Sequence, residues 1–211
     1  MMQENEKRSP EDLLTERIEE FFSEIYDENK LPSHGIEHHR RVWQYAREML
    51  QYTEQGKDPE PSFVNKLLIA CYLHDIGIMT DPGPRHGHES RILCELFLAK
   101  NNLDPEEYAD VLESIENHDN KEYTDNPGNK LLLILSVADD LDAFGYTGIY
   151  RYIEIYSARG IQPDMIGKLA RDNASKRFMN FEKNFGMHIE LMEKYRKEFI
   201  VLDNFFKGYS R

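Results

Sequence analysis

The stretch "YLHDIGI", Tyr72–Ile78, sets a histidine and an aspartate side by side within an otherwise apolar run. Burying an ionised carboxylate without a partner is costly, so something close to Asp75 must compensate for it. A solvated helix end, a salt bridge or a metal ion could each do so. From about Ser62 to Asp75 the chain reads as a helix, with Leu67, Ala70, Cys71 and His74 aligned and Gly77 as its stop.

The helical pattern extends outward in both directions. "SPEDLLTERIEEFFSEIY" opens with Ser9 as a cap, then Pro10 and two acids in the first turn. Its apolar residues Leu14, Ile18, Phe21, Phe22 and Ile25 recur at helical spacing. After Leu31–Pro32 a second helix carries His38, Val42, Tyr45 and Met49 on one face. "TDPGPRHGH" reads as a loop, followed by a helix over about 86–100 on which His88 and Ile92 share a face. The next helix opens at "LDPEEY" and ends near His118, and "KEYTDNPGN" is a second loop.

"LLLILSVADDLDAF" could be a buried strand by composition alone. Leu132, Leu135, Asp139 and Asp142 carry the helical spacing past its apolar part, so a helix is expected. Gly145 and Gly148 mark a bend, and three helical segments fill 150–211. The last has the stripe Met192, Tyr195, Phe199, Leu202 and Phe206, read as core, with a homodimer interface as the alternative. With no repeat and no linker, the expectation is a single all-α domain over 1–211. Its functional core lies at about 30–151, and the terminal helices pack on it.

Composition narrows the function. The 211 residues are 40% hydrophobic and 31% charged, which fits a globular chain with a real core. Apolar runs such as "LLLIL" at 131–135 fall far short of the roughly 20 residues that cross a bilayer. "MMQENEKRSP" has no apolar segment behind its charges, and the two cysteines, Cys71 and Cys94, sit in helical patterns rather than in a disulfide framework. A cytoplasmic protein with no membrane association is expected. The formal charge of −13 lacks any basic block and argues against nucleic acid as a partner. A small anionic substrate stays open, because a divalent cation can reverse the sign of charge locally.

Five of the eight histidines, His38, His74, His86, His88 and His118, lie at or near helix ends or on helix faces close to Asp or Glu. A lone histidine on an apolar face is ordinarily a satisfied core residue, but here the order carries information. Along the chain run "HGIEHHRRV", "LHDIG", "HGHES", "ENHDN" and "SVADDLDAFG". With these motifs the chain resembles the HD-domain metal-dependent phosphohydrolase superfamily. There, a histidine, an adjacent His-Asp pair and a distal aspartate come from different helices of an all-α domain. The resemblance spans about residues 30–151 and matches His38, in the H-x-x-R-V run ending at Arg41 and Val42, to the first histidine. It matches His74 and Asp75 to the pair, and Asp139 to the distal aspartate. It is strongest to a small branch pairing "HGxxHxxRV" with "ADxLDAxG…GIxR", some members of which hydrolyse nucleoside triphosphates. Val137 stands where that branch often has an aspartate.

What the resemblance implies is a metal held by His38, His74, Asp75 and Asp139. A set of two imidazoles and two carboxylates suits Mn, Fe, Ni, Co or Zn, with Mg less natural, and leaves coordination positions open on an octahedral ion. Successive helical residues point about 100° apart, so His74 and Asp75 could share an ion only near a helix end. The ordinary alternative is a solvated terminus at His74–Asp75 and an exposed acidic face at Asp139, Asp140 and Asp142. Two-metal branches place two further histidines between the pair and the distal aspartate, with the paired aspartate bridging. His88 and His118 fall in that interval, either as second-metal ligands or as histidines favoured by helix ends.

His34 and His88 are candidate proton donors to a leaving group, and Arg151, through "GIxR", a candidate phosphate contact. Arg41, Arg85 and Lys130 could also neutralise phosphate charge. The expected function is hydrolysis of a phosphate ester or anhydride, in a nucleotide, by metal-activated water. A di-iron oxygenase on the same fold and a non-catalytic nucleotide sensor are the alternatives.

Overall fold

The computed structural model describes residues 8–27, 29–120 and 128–209. Among these residues there are nine α-helices and no strand: α1 (Pro10–Ile25), α2 (Ile36–Leu50), α3 (Pro61–Leu73), α4 (His86–Lys100), α5 (Ala109–Asn117), α6 (Lys130–Asp142), α7 (Gly145–Ala158), α8 (Pro163–Phe185) and α9 (Ile189–Tyr209). The expected all-α class is found. The loop read at "KEYTDNPGN" lies outside the described residues over 121–127, as do residues 1–7.

Helix α1 begins as its sequence dictates. Ser9 Oγ accepts from the Asp12 amide at 3.1 Å, and Asp12 Oδ2 accepts from the Ser9 amide at 3.0 Å, a reciprocal capping box with Pro10 inside it. Its buried face, Ile18, Phe21 and Phe22, packs toward α3. Helices α3 and α6 are the innermost: every residue from Leu67 to Leu73 is buried, as is all of α6 from Leu131 to Asp142 except Leu133. That explains why their sequences read as continuous apolar runs rather than stripes. Helix α2 packs along α6 and α3, α4 along α5, and α7 and α9 close the far side with α8.

Two readings of local structure change. "LDPEEY" is not yet helix: the Asp104 side chain accepts from the Glu106 amide at 3.0 Å, and i→i+3 bonds form turns before α5 starts at Ala109. Gly77 does not terminate α3, which ends at Leu73; it lies in a 3₁₀ turn over Ile76–Met79. Its reason is close approach, since a Cβ there would stand 2.3 Å from the Ser90 backbone nitrogen of α4. The Gly77 amide donates to Ser90 Oγ at 2.9 Å across that contact.

The stripe on α9 is core. Met192, Tyr195, Leu202 and Phe206 are buried, and Phe199 stacks on Phe178 with ring centroids 4.7 Å apart. No described helix is long and apolar enough to cross a membrane.

Candidate metal centre and cleft

Four residues from three helices converge at the centre of this packing. Ligand atoms of His38 (α2), His74 and Asp75 (the end of α3) and Asp139 (α6) all lie within 4.8 Å of one another, and all four residues are buried. His74 still closes a helical bond to the Ala70 carbonyl, whereas Asp75 leaves helical geometry at φ −112°, ψ 7°. That departure lets two consecutive side chains face one point.

A second group shares one member with the first. Ligand atoms of Asp75, His86 and His118 also lie within 4.8 Å of one another. Asp75 Oδ2 is 3.6 Å from both His38 Nε2 and His74 Nε2, while Oδ1 is 3.1 Å from His118 Nε2 and 3.4 Å from His86 Nε2. One carboxylate therefore turns one oxygen to each group.

The hydrogen bonds behind the imidazoles fix which nitrogen looks inward. His74 Nδ1 donates to the Cys71 carbonyl at 3.0 Å, His86 Nδ1 to the Gly83 carbonyl at 2.7 Å and His118 Nδ1 to the Ile115 carbonyl at 2.7 Å. A carbonyl only accepts, so each Nδ1 carries a proton and each Nε2 is left to face the centre. His38 Nδ1 does the same against Asp142 Oδ2 at 2.7 Å. The inward nitrogens then meet head-on, His38 with His74 at 3.2 Å and His86 with His118 at 3.3 Å. Asp75 Oδ1 is buried without an aligned hydrogen bond, its 3.1 Å approach to His118 notwithstanding. Inward ring nitrogens this close around a buried carboxylate need protons or a cation between them, and a donor set of imidazoles and carboxylates fits divalent metal, which would displace those protons.

The electrostatics agree. Burial alone would push the Asp75 carboxyl up, but the imidazoles of His74, His118 and His38 outweigh it and hold it well below the usual carboxylate range. Asp139 is held down in the same sense, with Arg177 and Arg151 outweighing its burial. His118, despite burial, is pushed up to about 9 by Asp75 and Asp139.

Arginines brace the carboxylates from behind. Buried Arg151 of α7 donates to Asp142 Oδ2 at 3.1 Å and Asp139 Oδ1 at 3.2 Å. Arg41 forks onto Asp142 at 2.6 and 3.0 Å. Arg177 of α8, which sequence reading missed, donates to Asp139 Oδ2 at 2.7 Å and Asp140 Oδ1 at 2.8 Å. Asp140 is therefore no exposed acidic face; it is fully buried and also accepts from Asn180 at 2.7 Å. Nothing local in the sequence marks Arg177, which only the packing of α8 on α6 brings to the site.

Two candidates from the sequence fare differently. His34 is buried beside the centre with Nδ1 2.8 Å from Ser33 Oγ; burial, Arg151 and His38 hold its pKa well below the ordinary histidine value. That depression favours the neutral ring and weighs against His34 as a ready proton donor. His88 is not brought to the site: its ring is more than half exposed and pairs with Glu116 at 3.2 Å. His86 occupies the place expected for it. Residues two apart on a helix point about 200° apart, so only one histidine of "HGH" can face Asp75. Gly87 decides which, because a Cβ there would stand 2.6 Å from the Glu116 carbonyl oxygen, pressing this side of α4 against α5. Arg85 and Lys130 also stay outside, bonded to Asp81 and near Glu54 respectively.

The centre opens into a cleft of about 530 Å³, counting its mouth. Asp75, His86, His118 and Asp139 form its floor, and Tyr152, Ile155, Tyr156 and Arg159 of α7 and its C-cap line one wall. Asn173 and Arg177 line the other; Asn173 Oδ1 accepts from both Tyr152 Oη at 2.8 Å and Arg177 Nε at 2.9 Å.

The HD domain family model matches residues 35–143, the span that carries both ligand groups, and the chain belongs to this family. A crystal structure of a Lactobacillus plantarum protein, a structural-genomics target, shares the fold at a TM-score of 0.54 and 16% identity, covering 94% of this chain and 98% of that one. No curated protein matches the chain.

Proposed function

We propose that this chain is a metal-dependent phosphohydrolase that cleaves a phosphate ester or anhydride of a nucleotide at two metal positions sharing Asp75. The observation that carries the reading is the single buried carboxylate with an imidazole pair against each oxygen, opening on a cleft walled by arginines. His38, His74, Asp75 and Asp139 would hold one ion, and Asp75, His86 and His118 the other. Bound there, divalent ions supply Lewis acidity toward a phosphoryl oxygen and a water-derived nucleophile at neutral pH.

The chain's own residues do the rest. Arg151 and Arg177 hold Asp139 and the second carboxylate each of them grips, Asp142 and Asp140, in place, which fixes the ligand geometry before substrate arrives. Their positive charge also favours a phosphoryl group at the cleft floor. Neutral His34 can accept a hydrogen bond from, or donate one to, a substrate oxygen beside Asp75 and Asp139.

Turnover of phosphorylated substrates by purified protein loaded in turn with Mn, Fe(II), Co, Ni, Zn and Mg tests the proposal. Release of phosphate or pyrophosphate from at least one nucleotide is expected. Consumption of O₂ with iron in place of hydrolysis would replace this reading with the oxygenase. Tight nucleotide binding without turnover under every metal would replace it with the sensor.

A further inference from the structure

Of the three arginines that line the cleft, two are committed to carboxylates. Arg151 is divided between Asp139 and Asp142, and Arg177 between Asp139, Asp140 and Asp119. Arg159 differs. Its Nε donates to the Pro82 carbonyl at 2.6 Å, and among the described residues its two terminal nitrogens donate to nothing. The Pro82 contact crosses from the C-cap of α7 to the loop that precedes His86, so the plane of the guanidinium is held while its outer edge stays available.

Its position along α7 sets a ruler. Arg151, Ile155 and Arg159 follow one another at i, i+4 and i+8 on the face toward the cleft, about 12 Å from first to last at 1.5 Å per residue. Tyr152 and Tyr156 flank that row. From the metal end outward the wall is thus cationic, then aliphatic and aromatic, then cationic again. A phosphoryl group at the floor and a flat ring against Ile155 and Tyr156 would bring the outer edge of that ring to Arg159.

Resting on the phosphohydrolase reading above, we infer that Arg159 is the residue that selects the base of the substrate. A planar guanidinium edge pairs best with two adjacent acceptors, which guanine and hypoxanthine present at O6 and N7; adenine places a donor amine at that edge and is disfavoured.

Calorimetric binding of GTP, ITP and ATP to wild type, Arg159→Ala and Arg159→Lys, in chelator and again with metal, tests this. Wild type should bind GTP and ITP about tenfold more tightly than ATP, one good fork of hydrogen bonds being worth about that factor. Arg159→Ala should erase the preference while leaving ATP binding within about twofold, and Arg159→Lys, a point charge without the fork, should restore little of it. Equal binding of GTP and ATP by wild type, a preference that survives in Arg159→Ala, or loss of ATP binding along with GTP would each overturn the inference. A guanine preference without turnover under any metal leaves it standing and removes the hydrolase reading. Turnover of both nucleotides with equal affinity does the reverse.

Discussion

Asp142 Oδ2 accepts from His38 Nδ1 at 2.7 Å across 104 residues of sequence, and the same carboxylate is gripped by Arg41 and Arg151. The bond turns His38 Nε2 toward Asp75 and Asp139, so a residue outside the candidate ligand groups sets the direction of one inside them. Burial would push the Asp142 carboxyl up, but the His38 hydrogen bond and the arginine charges hold it down at about 2, ionised under all ordinary conditions. Asp142→Asn should therefore weaken metal affinity by about 10–100-fold, the usual effect of removing a histidine's outer partner. Metal titration of folded protein checks this, and unchanged affinity would assign Asp142 to the fold alone.

The shared carboxylate predicts an asymmetric set of metal contents. Asp75→Ala should lose both ions, and His86→Ala or His118→Ala should keep about one per chain. His88→Ala should keep the wild-type content, because its ring lies outside with Glu116. Elemental analysis of the four variants distinguishes the positions of His86 and His88 directly. Full loading of His86→Ala would return His86 to a role without metal.

Gly87→Ala tests how the second group is assembled. The added methyl would meet the Glu116 carbonyl oxygen at 2.6 Å, where backbone rather than a flexible side chain must yield. A loss of about 1–3 kcal/mol in stability is expected. Because α4 and α5 carry His86 and His118, the variant should also lose the second ion before the first. Denaturant melts paired with metal analysis read both effects.

The stability of metal-stripped protein should peak near pH 6.5. His34 and His39 are buried, and burial holds both well below the ordinary 6.5. Below pH 6.5 the unfolded chain takes up protons that these rings refuse, so stability falls as pH falls, by up to about 1.4 kcal/mol per histidine per pH unit. His118 works in the opposite sense. Its pKa is pushed up to about 9, so its contribution is complete below 6.5 and is lost as pH rises through 9. Added divalent metal should remove the alkaline decline, and His118→Gln should abolish it. A flat profile from pH 6.5 to 9 in chelator would contradict the assignment.

Hydrolysis in ¹⁸O-labelled water should place the label on phosphorus, since a water-derived nucleophile attacks there. With a nucleoside triphosphate the labelled fragment also names the bond: monophosphate or pyrophosphate for attack at the α or β position, orthophosphate for γ. Label confined to the sugar would exclude in-line attack at phosphorus.

The sequence by itself determined the all-α class, most of the helices and the candidate status of the first group. Period-3.6 stripes and the Ser9 cap are local properties, and the His38, His74–Asp75, Asp139 order is a pattern of residue types that survives without coordinates. It did not determine which histidine of "HGH" completes the second group, because direction around α4 depends on the face pressed against α5. Nor could it reveal Arg177 as a partner of Asp139, or Asp140 as buried, since both follow from α8 crossing α6 some 37–38 residues away in sequence. Local spacing fixes what a helix is made of; which side chains meet is fixed by how close two backbones can come, as at Gly77 and Gly87, and by which carboxylates must be neutralised once water is excluded.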